Sequence, residues 1–546
     1  MKHLFKFSLC ALALTMGANT GFAQSGETGL KDAYKDYFSI GVAVNMRNIS
    51  NPEQIAIIKK DFNSITAEND MKPQPTEPAY GQFNWENADK IANFCRSNGI
   101  KLRGHCLMWH AQIGEWMYKD EKGDLVSKEK LFQNMKHHIT AIVERYKDVV
   151  YAWDVVNEAI SDGGWQGGRR GMGEHPSPYR NSPLYQIAGD EFIKKAFIYA
   201  READPNVLLF YNDYNAADPG KRDRIYNMVK SMKEEGVPID GIGMQGHYNV
   251  YGPSMEDVDA ALTKYSTIVK HIHITELDIR ANQEMGGQLN FSRDGGNISQ
   301  VVKTLQEDQY ARLFKVLRKH KDVVDNVTFW NLSDRDSWLG ARNYPLPYDE
   351  NYKAKRVYSI IKDFDPASDT AVVKEDFRPS VLNQPGQQYP MVNSQGYARF
   401  RVVAPDAKSV IVSLGLGGRG GTVLRKDKEG VWVGTTDGPM DEGFHYYHLT
   451  IDGGVFNDPG TKNYYGSCRW ENGIEIPAHD EDFYAMKQVP HGNVQQVYFY
   501  SKSTDTHRRA FVYTPPTYGK AGLPCGSCRW KRWTRCSPPL CAQSGI

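Results

Sequence analysis

The fold is decided by residues 151–158, YAWDVVNE, an apolar run that ends in an amide and a carboxylate side by side. Its β-branched and aromatic residues predict a buried strand, and Glu158 falls where that strand stops. A second stretch, HIHITELD at 271–278, repeats the pattern and brings Glu276 to a strand end. Two carboxylates at strand ends predict one shared cleft.

Outward from these strands, short apolar runs alternate with helical patterns between about residues 31 and 364, which predicts βα units and a parallel sheet. The strand candidates are 38–44, 64–68, 101–109, 152–157, 208–212, 241–246, 271–276 and 327–331. Amphipathic segments between them include 87–97, 128–146, 190–202, 221–235 and 307–320. These units predict an α/β fold, a closed (β/α)8 TIM barrel.

Polar residues recur at the predicted carboxyl ends of the strands, where such a barrel places its active site. From the second strand to the eighth they are Glu68 and Asn69; His105, Trp109 and His110; Asn157 and Glu158; Asn212 and Asp213; Gln245 and His247; Glu276 and Asp278; and Trp330, Asn331 and Asp334. A random surface would not repeat this placement strand after strand.

The chain of 546 residues is longer than one ordinary domain. After Pro379 helical periodicity is lost, and short strands separated by Pro-Asp, Gly-Gly and Asp-Gly turns predict a small β-sandwich. We expect a signal peptide at 1–23, a barrel domain at 31–379, a linker at 380–390, the β-sandwich at 391–490 and a short C-terminal remnant at 491–546.

The composition narrows the classes of binding partner that the chain can have. Lys and Arg number 66 against 65 Asp and Glu, so no charge excess points to nucleic acid or to an anionic membrane. The basic start, the apolar run 4–16 and the small residues before Gln24 predict a signal peptide cleaved after Ala23, and no later run is long enough to span a bilayer. We therefore expect a secreted or periplasmic protein, and we expect a monomer.

The two glutamates suit the cleavage of a glycosidic bond. That reaction needs one carboxyl that stays protonated and donates to the leaving oxygen, and another that stays ionised and meets the developing oxocarbenium ion. Glu158 and Glu276 can fill these roles, although spacing alone leaves open which is which. The aromatic content of 12% favours the same chemistry, because flat apolar faces with a polar rim suit sugar rings.

Residues 31–364 resemble the endo-β-1,4-xylanases of glycoside hydrolase family 10. The motifs that carry the resemblance are TAENDMK at 66–72, RGH at 103–105 with Trp109 and His110, WDVVNE at 153–158, QGH at 245–247, ITELD at 274–278 and FW at 329–330. A single motif of this kind is weak, but six in the family's order across a barrel pattern are specific.

The resemblance implies that Glu158 is the acid/base and Glu276 the nucleophile of a retaining double displacement, with carboxyls about 5 to 5.5 Å apart. It also implies that Asn157 binds the sugar 2-hydroxyl and that His247 holds Glu276, while Asp278 can orient that imidazole. The residues expected to bind xylose units are Glu68, Asn69, Lys72, His105, Trp109, Gln245, Trp330 and Trp338. The expected substrates are xylan and xylo-oligosaccharides, with no cofactor and no metal.

The sandwich is similar to the immunoglobulin-like modules of carbohydrate-binding module family 48. Its aromatic residues form a sugar platform or pack a core, and the sequence leaves both open for Trp432, Tyr446, Tyr447, Tyr464 and Tyr465. Residues 494–518 resemble the first strands of a family 1 carbohydrate esterase, an α/β-hydrolase that needs a Gly-x-Ser-x-Gly elbow with acid and His partners. No such motif follows before Ile546, so we expect no esterase activity.

The last residues, 521–546, have no apolar period and are interpreted as a truncation or a reading-frame shift. Cys525 and Cys528 form a C-x2-C pair, but the spacing of Cys536 and Cys541 does not favour zinc.

Two other functions share parts of this pattern. A noncatalytic xylan-binding protein on a barrel scaffold is one, and the intact Glu158 and Glu276 argue against it. Another barrel hydrolase, such as a cellulase, shares the acid pair and is separated by comparing xylan with carboxymethylcellulose.

Overall fold

The computed structural model describes residues 28–162, 177–281, 298–414, 421–466 and 469–518. The predicted signal peptide and the cysteine-rich tail lie outside these residues and stay predictions. The chain divides into two compact units, Met1–Ile476 and Pro477–Ile546. No helix in the described part of the chain is long and apolar enough to cross a membrane.

The first unit contains the predicted barrel. Its strands are β1 (Ser39–Val44), β2 (Ser64–Ala67), β3 (Lys101–Trp109), β4 (Val150–Asn157), β5 (Leu208–Asp213), β6 (Gly241–Met244) with its short continuation β7 (His247–Asn249), β8 (His271–Arg280) and β9 (Val324–Phe329). Neighbouring strands pair in parallel from β1 to β6, β6 pairs with β8, and β9 pairs with both β8 and β1. These pairings close the ring and confirm the (β/α)8 prediction.

Helices surround the ring. They are α1 (Leu30–Ala33), α2 (Pro52–Asp61), α3 (Pro73–Thr76), α4 (Glu86–Asn98), α5 (Lys128–Tyr146), α6 (Pro183–Ala188), α7 (Glu191–Ala203), α8 (Pro219–Glu234), α9 (Met255–Tyr265), α10 (Gln300–Lys319), α11 (Arg356–Lys362) and α12 (Pro366–Thr370), with 3-10 turns at Glu115–Met117 and Ala341–Asn343. Helix α5 begins after Ser127, whose hydroxyl accepts from the Lys130 N–H, and buries Leu131, Met135 and Ile139 one turn apart.

The sandwich follows α12. Its strands are β10 (Arg378–Pro379), β11 (Met391–Val392), β12 (Ala398–Val403), β13 (Val410–Leu414), β14 (Gly421–Val423), β15 (Arg425–Lys426), β16 (Val431–Thr435), β17 (Gly443–Ile451), β18 (Gly454–Phe456), β19 (Asn463–Gly466) and β20 (Arg469–Ile476). One antiparallel sheet has the order β10-β11-β12-β16-β15 and the other β14-β13-β17-β20-β19, with β18 beside β17. Apolar residues from both sheets form one core.

Two of the candidate platform aromatics belong to this core. Trp432 is 7% exposed and donates its indole N–H to the Ala404 carbonyl, while Tyr447 is fully buried and donates to Asp458. A sugar could not stack on either ring. The other three, Tyr446, Tyr464 and Tyr465, are at least partly exposed.

The sandwich also contacts the barrel. Ile411 and Val423 are buried in the same apolar cluster as the barrel residues, and Arg425 pairs with Asp308 of α10. The stretch 380–390, predicted as a linker, is hydrogen-bonded to the sandwich: the Gln384 N–H donates to the Gly460 carbonyl at 2.8 Å.

The described part of the second unit consists of α13 (Glu481–Tyr484) and an antiparallel hairpin of β21 (Asn493–Ser501) and β22 (Thr506–Thr514).

Candidate active site

Glu158 stands at a sharp turn directly after β4. Its φ of 57° lies in the left-handed region, which costs a non-glycine residue about 1 kcal/mol or more. The backbone is held on both sides, because the Glu158 N–H donates to the Asn212 carbonyl at 2.9 Å and Arg180 Nε donates to the Glu158 carbonyl at 2.9 Å. This turn directs the side chain away from the strand.

The next two residues are fixed by a single hydroxyl. The N–H groups of Ala159 and Ile160 both donate to the Tyr211 hydroxyl, at 3.0 and 2.9 Å. That hydroxyl in turn donates to Asp213, which pairs with Lys221 at 2.8 Å. The turn after Glu158 is therefore anchored to the end of β5.

The Glu158 carboxyl is partly exposed and receives two side-chain N–H groups. Trp109 Nε1 donates to Oε2 at 3.0 Å, and Gln245 Nε2 donates to Oε1 at 3.0 Å. Both donors were predicted site residues, and the barrel brings them from the ends of β3 and β6 to the end of β4.

Glu276 lies on β8 and is 5% exposed. Asn212 Nδ2 donates to its Oε1 at 2.9 Å, His247 Nε2 is 3.1 Å from its Oε2, and His105 Nδ1 is 4.0 Å from Oε1. Burial acts to raise the pKa of Glu276, but the His247 hydrogen bond and the two imidazoles outweigh it, so the pKa is lowered. The environment favours an ionised carboxylate.

His247 is held between two carboxylates. Its Nδ1 is 2.9 Å from Asp278 Oδ2, and the opposite nitrogen faces Glu276. Burial disfavours its charge, but Asp278 and Glu276 together raise the pKa of His247 to about 10. The ring is therefore a cation at neutral pH that donates to both neighbours. Trp338 Nε1 also donates to Asp278 Oδ2, at 2.9 Å.

Amide side chains join the two acids. The Asn157 amide lies 2.9 Å from the Asn212 amide and 3.2 Å from the Gln245 amide. Since Asn212 also reaches Glu276 and Gln245 also reaches Glu158, one hydrogen-bonded network connects both carboxyls. Asn212 was predicted to end the fifth strand but was not predicted to be a site residue. Its position at a strand end was the feature of the sequence that could have identified it.

The remaining predicted residues lie on either side of this centre. Lys72 is 6% exposed, donates to Asn69 at 2.9 Å, and holds its ammonium 5.0 Å from the centroid of the Trp109 ring. Burial raises the pKa of Glu68, although Asn45, Lys72 and Asn331 oppose it. These side chains form a polar wall that continues from Trp109.

Two further indoles lie beside the histidines of the site. Trp330 is 5% exposed, with its ring centroid 5.3 Å from that of His105. Trp338 is 40% exposed, with its ring centroid 5.1 Å from that of His247. The site thus combines a buried, ionised carboxylate with a second carboxyl open to solvent and polar and aromatic walls.

The barrel part of the chain is similar to known proteins. Residues 29–364 match the family described as Glycosyl hydrolase family 10. A protein of Xylanibacter ruminicola named endo-1,4-beta-xylanase/feruloyl esterase is 64% identical over 525 residues, which are 94% of this chain and 72% of that protein.

Two solved structures cover the barrel. A psychrophilic glycoside hydrolase family 10 endo-beta-1,4-xylanase is 67% identical with a TM-score of 0.58, covering 62% of this chain and 100% of its own. A mutant protein in complex with xylotriose is 36% identical with a TM-score of 0.57, covering the same shares. Since the family match takes in more than half of the sequence and the barrel carries the paired acids, this chain belongs to glycosyl hydrolase family 10.

Proposed function

We propose that this protein is an endo-1,4-β-xylanase that hydrolyses internal β-1,4-xylosidic bonds of xylan by a retaining double displacement. Glu276 attacks the anomeric carbon as the nucleophile. Glu158 protonates the leaving oxygen and then, as a base, activates the water that releases the product. Xylan and xylo-oligosaccharides are the substrates.

The unequal environments of the two carboxyls carry this assignment. Glu276 is buried against a cationic His247, which favours the ionised form that a nucleophile needs. Glu158 is partly exposed, so water and a leaving group can reach it. The xylanase names of the relatives and the xylotriose complex of a similar protein support xylan as the substrate class.

The walls of the site supply the sugar contacts. We assign xylose binding to Glu68, Asn69, Lys72, His105, Trp109, Gln245, Trp330 and Trp338, and the contact with the 2-hydroxyl at the reacting sugar to Asn157. Asp278 orients His247 through the 2.9 Å contact between its Oδ2 and Nδ1.

The test is reducing-sugar release from xylan, with the anomer of the first product followed by NMR. Retention is expected, and an inverted product would contradict the double displacement. Glu276→Ala should abolish hydrolysis, whereas Glu256→Ala on α9, where the side chain is 78% exposed, should not change it. Retained activity of the Glu276 variant would overturn the nucleophile assignment.

Selectivity against cellulose is assigned to Trp338. Xylose lacks the hydroxymethyl group of glucose, and we propose that the Trp338 indole, which is 40% exposed and donates to Asp278, occupies the space that this group would need. Trp338→Ala should therefore raise kcat/KM on cello-oligosaccharides relative to xylo-oligosaccharides. An unchanged ratio, measured with xylan and carboxymethylcellulose as well, would remove Trp338 from this role.

The expectation that this chain releases no ferulate stays a prediction. A feruloylated xylo-oligosaccharide tests it, because release of free ferulate would contradict it directly.

A further inference from the structure

A line of polar side chains, buried except for its first member, runs along the inside of the barrel from its N-terminal end to Glu276. Its members are Asp325, His273, Arg103, Asp154 and His105, and they are called the line below. Arg103 and Asp154 are fully buried, and His273 and His105 are 1% and 2% exposed. Apolar side chains ordinarily fill this space in such barrels, so a polar line through it requires a reason.

The line begins at Asp325 near the start of β9, where the carboxylate is 43% exposed. Its Oδ1 is 2.8 Å from His273 Nε2, and Arg103 Nε donates to His273 Nδ1 at 3.1 Å. Because Nδ1 accepts a hydrogen bond from Arg103, which can only donate, the ring proton must lie on Nε2, the nitrogen that faces Asp325. Arg103 therefore fixes the tautomer of His273, and the pairing with Asp325 holds the orientation of the ring.

The line then passes through a guanidinium to the active site. The two Nη atoms of Arg103 donate to the two oxygens of Asp154 at 2.5 and 2.6 Å, a planar fork that allows little rotation. Asp154 Oδ2 also lies 2.9 Å from His105 Nδ1. This bond places the His105 proton on Nδ1, which is the atom 4.0 Å from Glu276 Oε1.

We propose that Asp325 and His273 are positioning residues for the reaction at Glu276. They hold Arg103 in the orientation in which its fork sets Asp154 and, through Asp154, His105. The inference rests on the proposed role of Glu276 as the nucleophile. It goes beyond that role because Asp325 lies at the end of the barrel opposite the active site, where residues ordinarily serve stability alone.

Loss of the Asp325 carboxylate has a definite consequence. Without the carboxylate beside Nε2, the His273 ring can tilt and withdraw Nδ1 from the Arg103 Nε–H, which then has no acceptor. Arg103 must shift, and His105 shifts with Asp154. A displacement of about 1 Å near reacting groups can cost up to about a hundredfold in rate. Here the shift reaches the nucleophile through several bonds, so about a tenfold fall in kcat is expected.

The other polar, charged and aromatic side chains near the line have partners of their own. The Tyr151 hydroxyl bonds to Ser64 at 3.2 Å, and the Lys101 ammonium lies over the Tyr151 ring. The Phe210 ring stacks on His273 with centroids 4.1 Å apart and faces the Arg103 guanidinium. Asp240 and Lys270 act on His271, which binds the other Asp325 oxygen at 2.6 Å and stands outside the line.

The experiment uses the full chain with Asp325→Ala, the isosteric Asp325→Asn, Asp325→Glu and, as a matched control, His271→Gln. Hydrolysis of a soluble xylo-oligosaccharide gives kcat, KM and the pH profile, and thermal unfolding gives Tm. Asp325→Ala should lower kcat about tenfold with KM within about twofold, and should move the acidic limb of the profile to higher pH. Asp325→Glu should restore part of kcat, and His271→Gln should leave kcat unchanged.

The proposal is overturned if the Asp325 variants lower Tm while kcat and the pH profile stay as in the wild type. It is also overturned if His271→Gln lowers kcat as much as Asp325→Ala. If Asp325→Ala does not fold, Asp325→Asn keeps the volume and decides the question. Failure of the proposed function is a separate result, because the wild type would then not cleave the substrate or Glu276→Ala would still cleave it.

Discussion

Tyr211 shows how one hydroxyl supports the turn that carries Glu158. It accepts the N–H groups of Ala159 and Ile160 and donates to Asp213, so Tyr211→Phe leaves buried groups without partners. Each such group costs about 1–3 kcal/mol. We expect about 2–4 kcal/mol of lost stability in urea unfolding, and a lower kcat because the turn that carries Glu158 is loosened.

Tyr265→Phe is the matched control. Its hydroxyl is also buried but makes one bond, to the Ala216 carbonyl at 2.9 Å, and that bond does not reach the turn after Glu158. The control should lose about 1 kcal/mol and keep its kcat. Equal effects of both variants on kcat would contradict a special role for Tyr211.

His247 makes stability depend on pH in the neutral to alkaline range. Its pKa is raised from the ordinary 6.5 to about 10, because Asp278 and Glu276 outweigh the effect of burial. The stabilisation is therefore complete below about pH 6.5 and is lost as the pH rises toward about 10. The free energy of unfolding of the wild type should exceed that of His247→Gln most at pH 6, and the difference should shrink by pH 10. Denaturant unfolding at several pH values measures it, and a constant difference would rule this cation out as the cause.

At the scale of elements, strands β3 and β4 depend on a glycine for their close approach. A methyl group at Gly104 would overlap the ring of Trp153, which is fully buried. Gly104→Ala should cost about 1–3 kcal/mol and should lower activity, because the strand must shift between Arg103 and His105. Gly220→Ala at the start of α8 is the control, since a methyl there meets only ordinary contacts. Thermal unfolding and xylan hydrolysis of both variants test the point.

The predicted and observed bounds of the elements show which parts of the fold can be read from the sequence. Strand β3 and helix α5 have the predicted bounds, because their apolar periodicity is uninterrupted. Strand β9 was predicted at 327–331 but spans Val324–Phe329. The polar residues Asp325 and Asn326 near its start are typical of a loop. In the structure Asp325 pairs with two histidines of β8, which lets this polar segment belong to the strand. Hydropathy cannot anticipate polarity that a distant strand satisfies.

The site residues could also be predicted only in part. The strand-end pattern included every residue that contacts the two carboxyls directly, because the barrel requires its loops to meet at one end, but Asn212 was not predicted to be a site residue. Arg103 and Asp154 could not be recognised as a buried ion pair. In the sequence a charged residue within a strand motif looks the same whether it faces the core or solvent, and only the closed ring brings the pair together.

At the scale of the whole molecule, the sandwich covers part of the barrel. Ile411 and Val423 lie in the barrel's apolar cluster, and Arg425 pairs with Asp308. A chain that ends at residue 476 should keep the Tm and the xylan hydrolysis of the full chain, because it retains the whole first unit. A chain that ends at residue 370 should unfold at a lower temperature, since that apolar contact is then open to water.

Differential scanning calorimetry compares the three lengths. Equal Tm values for all of them would mean that the sandwich contributes nothing to the barrel. A lower Tm for the chain ending at residue 476 would mean that the second unit supports the first.

The amide network of Asn157, Asn212 and Gln245 has a consequence for engineering. Because these amides connect Glu158 to Glu276, substitutions on the two sides of the site should show strong epistasis rather than independent effects. A designer who adjusts the working pH through a neighbour of one acid will also change the other. Libraries that vary both sides together are therefore the efficient route to variants for acidic or alkaline processing of plant fibre.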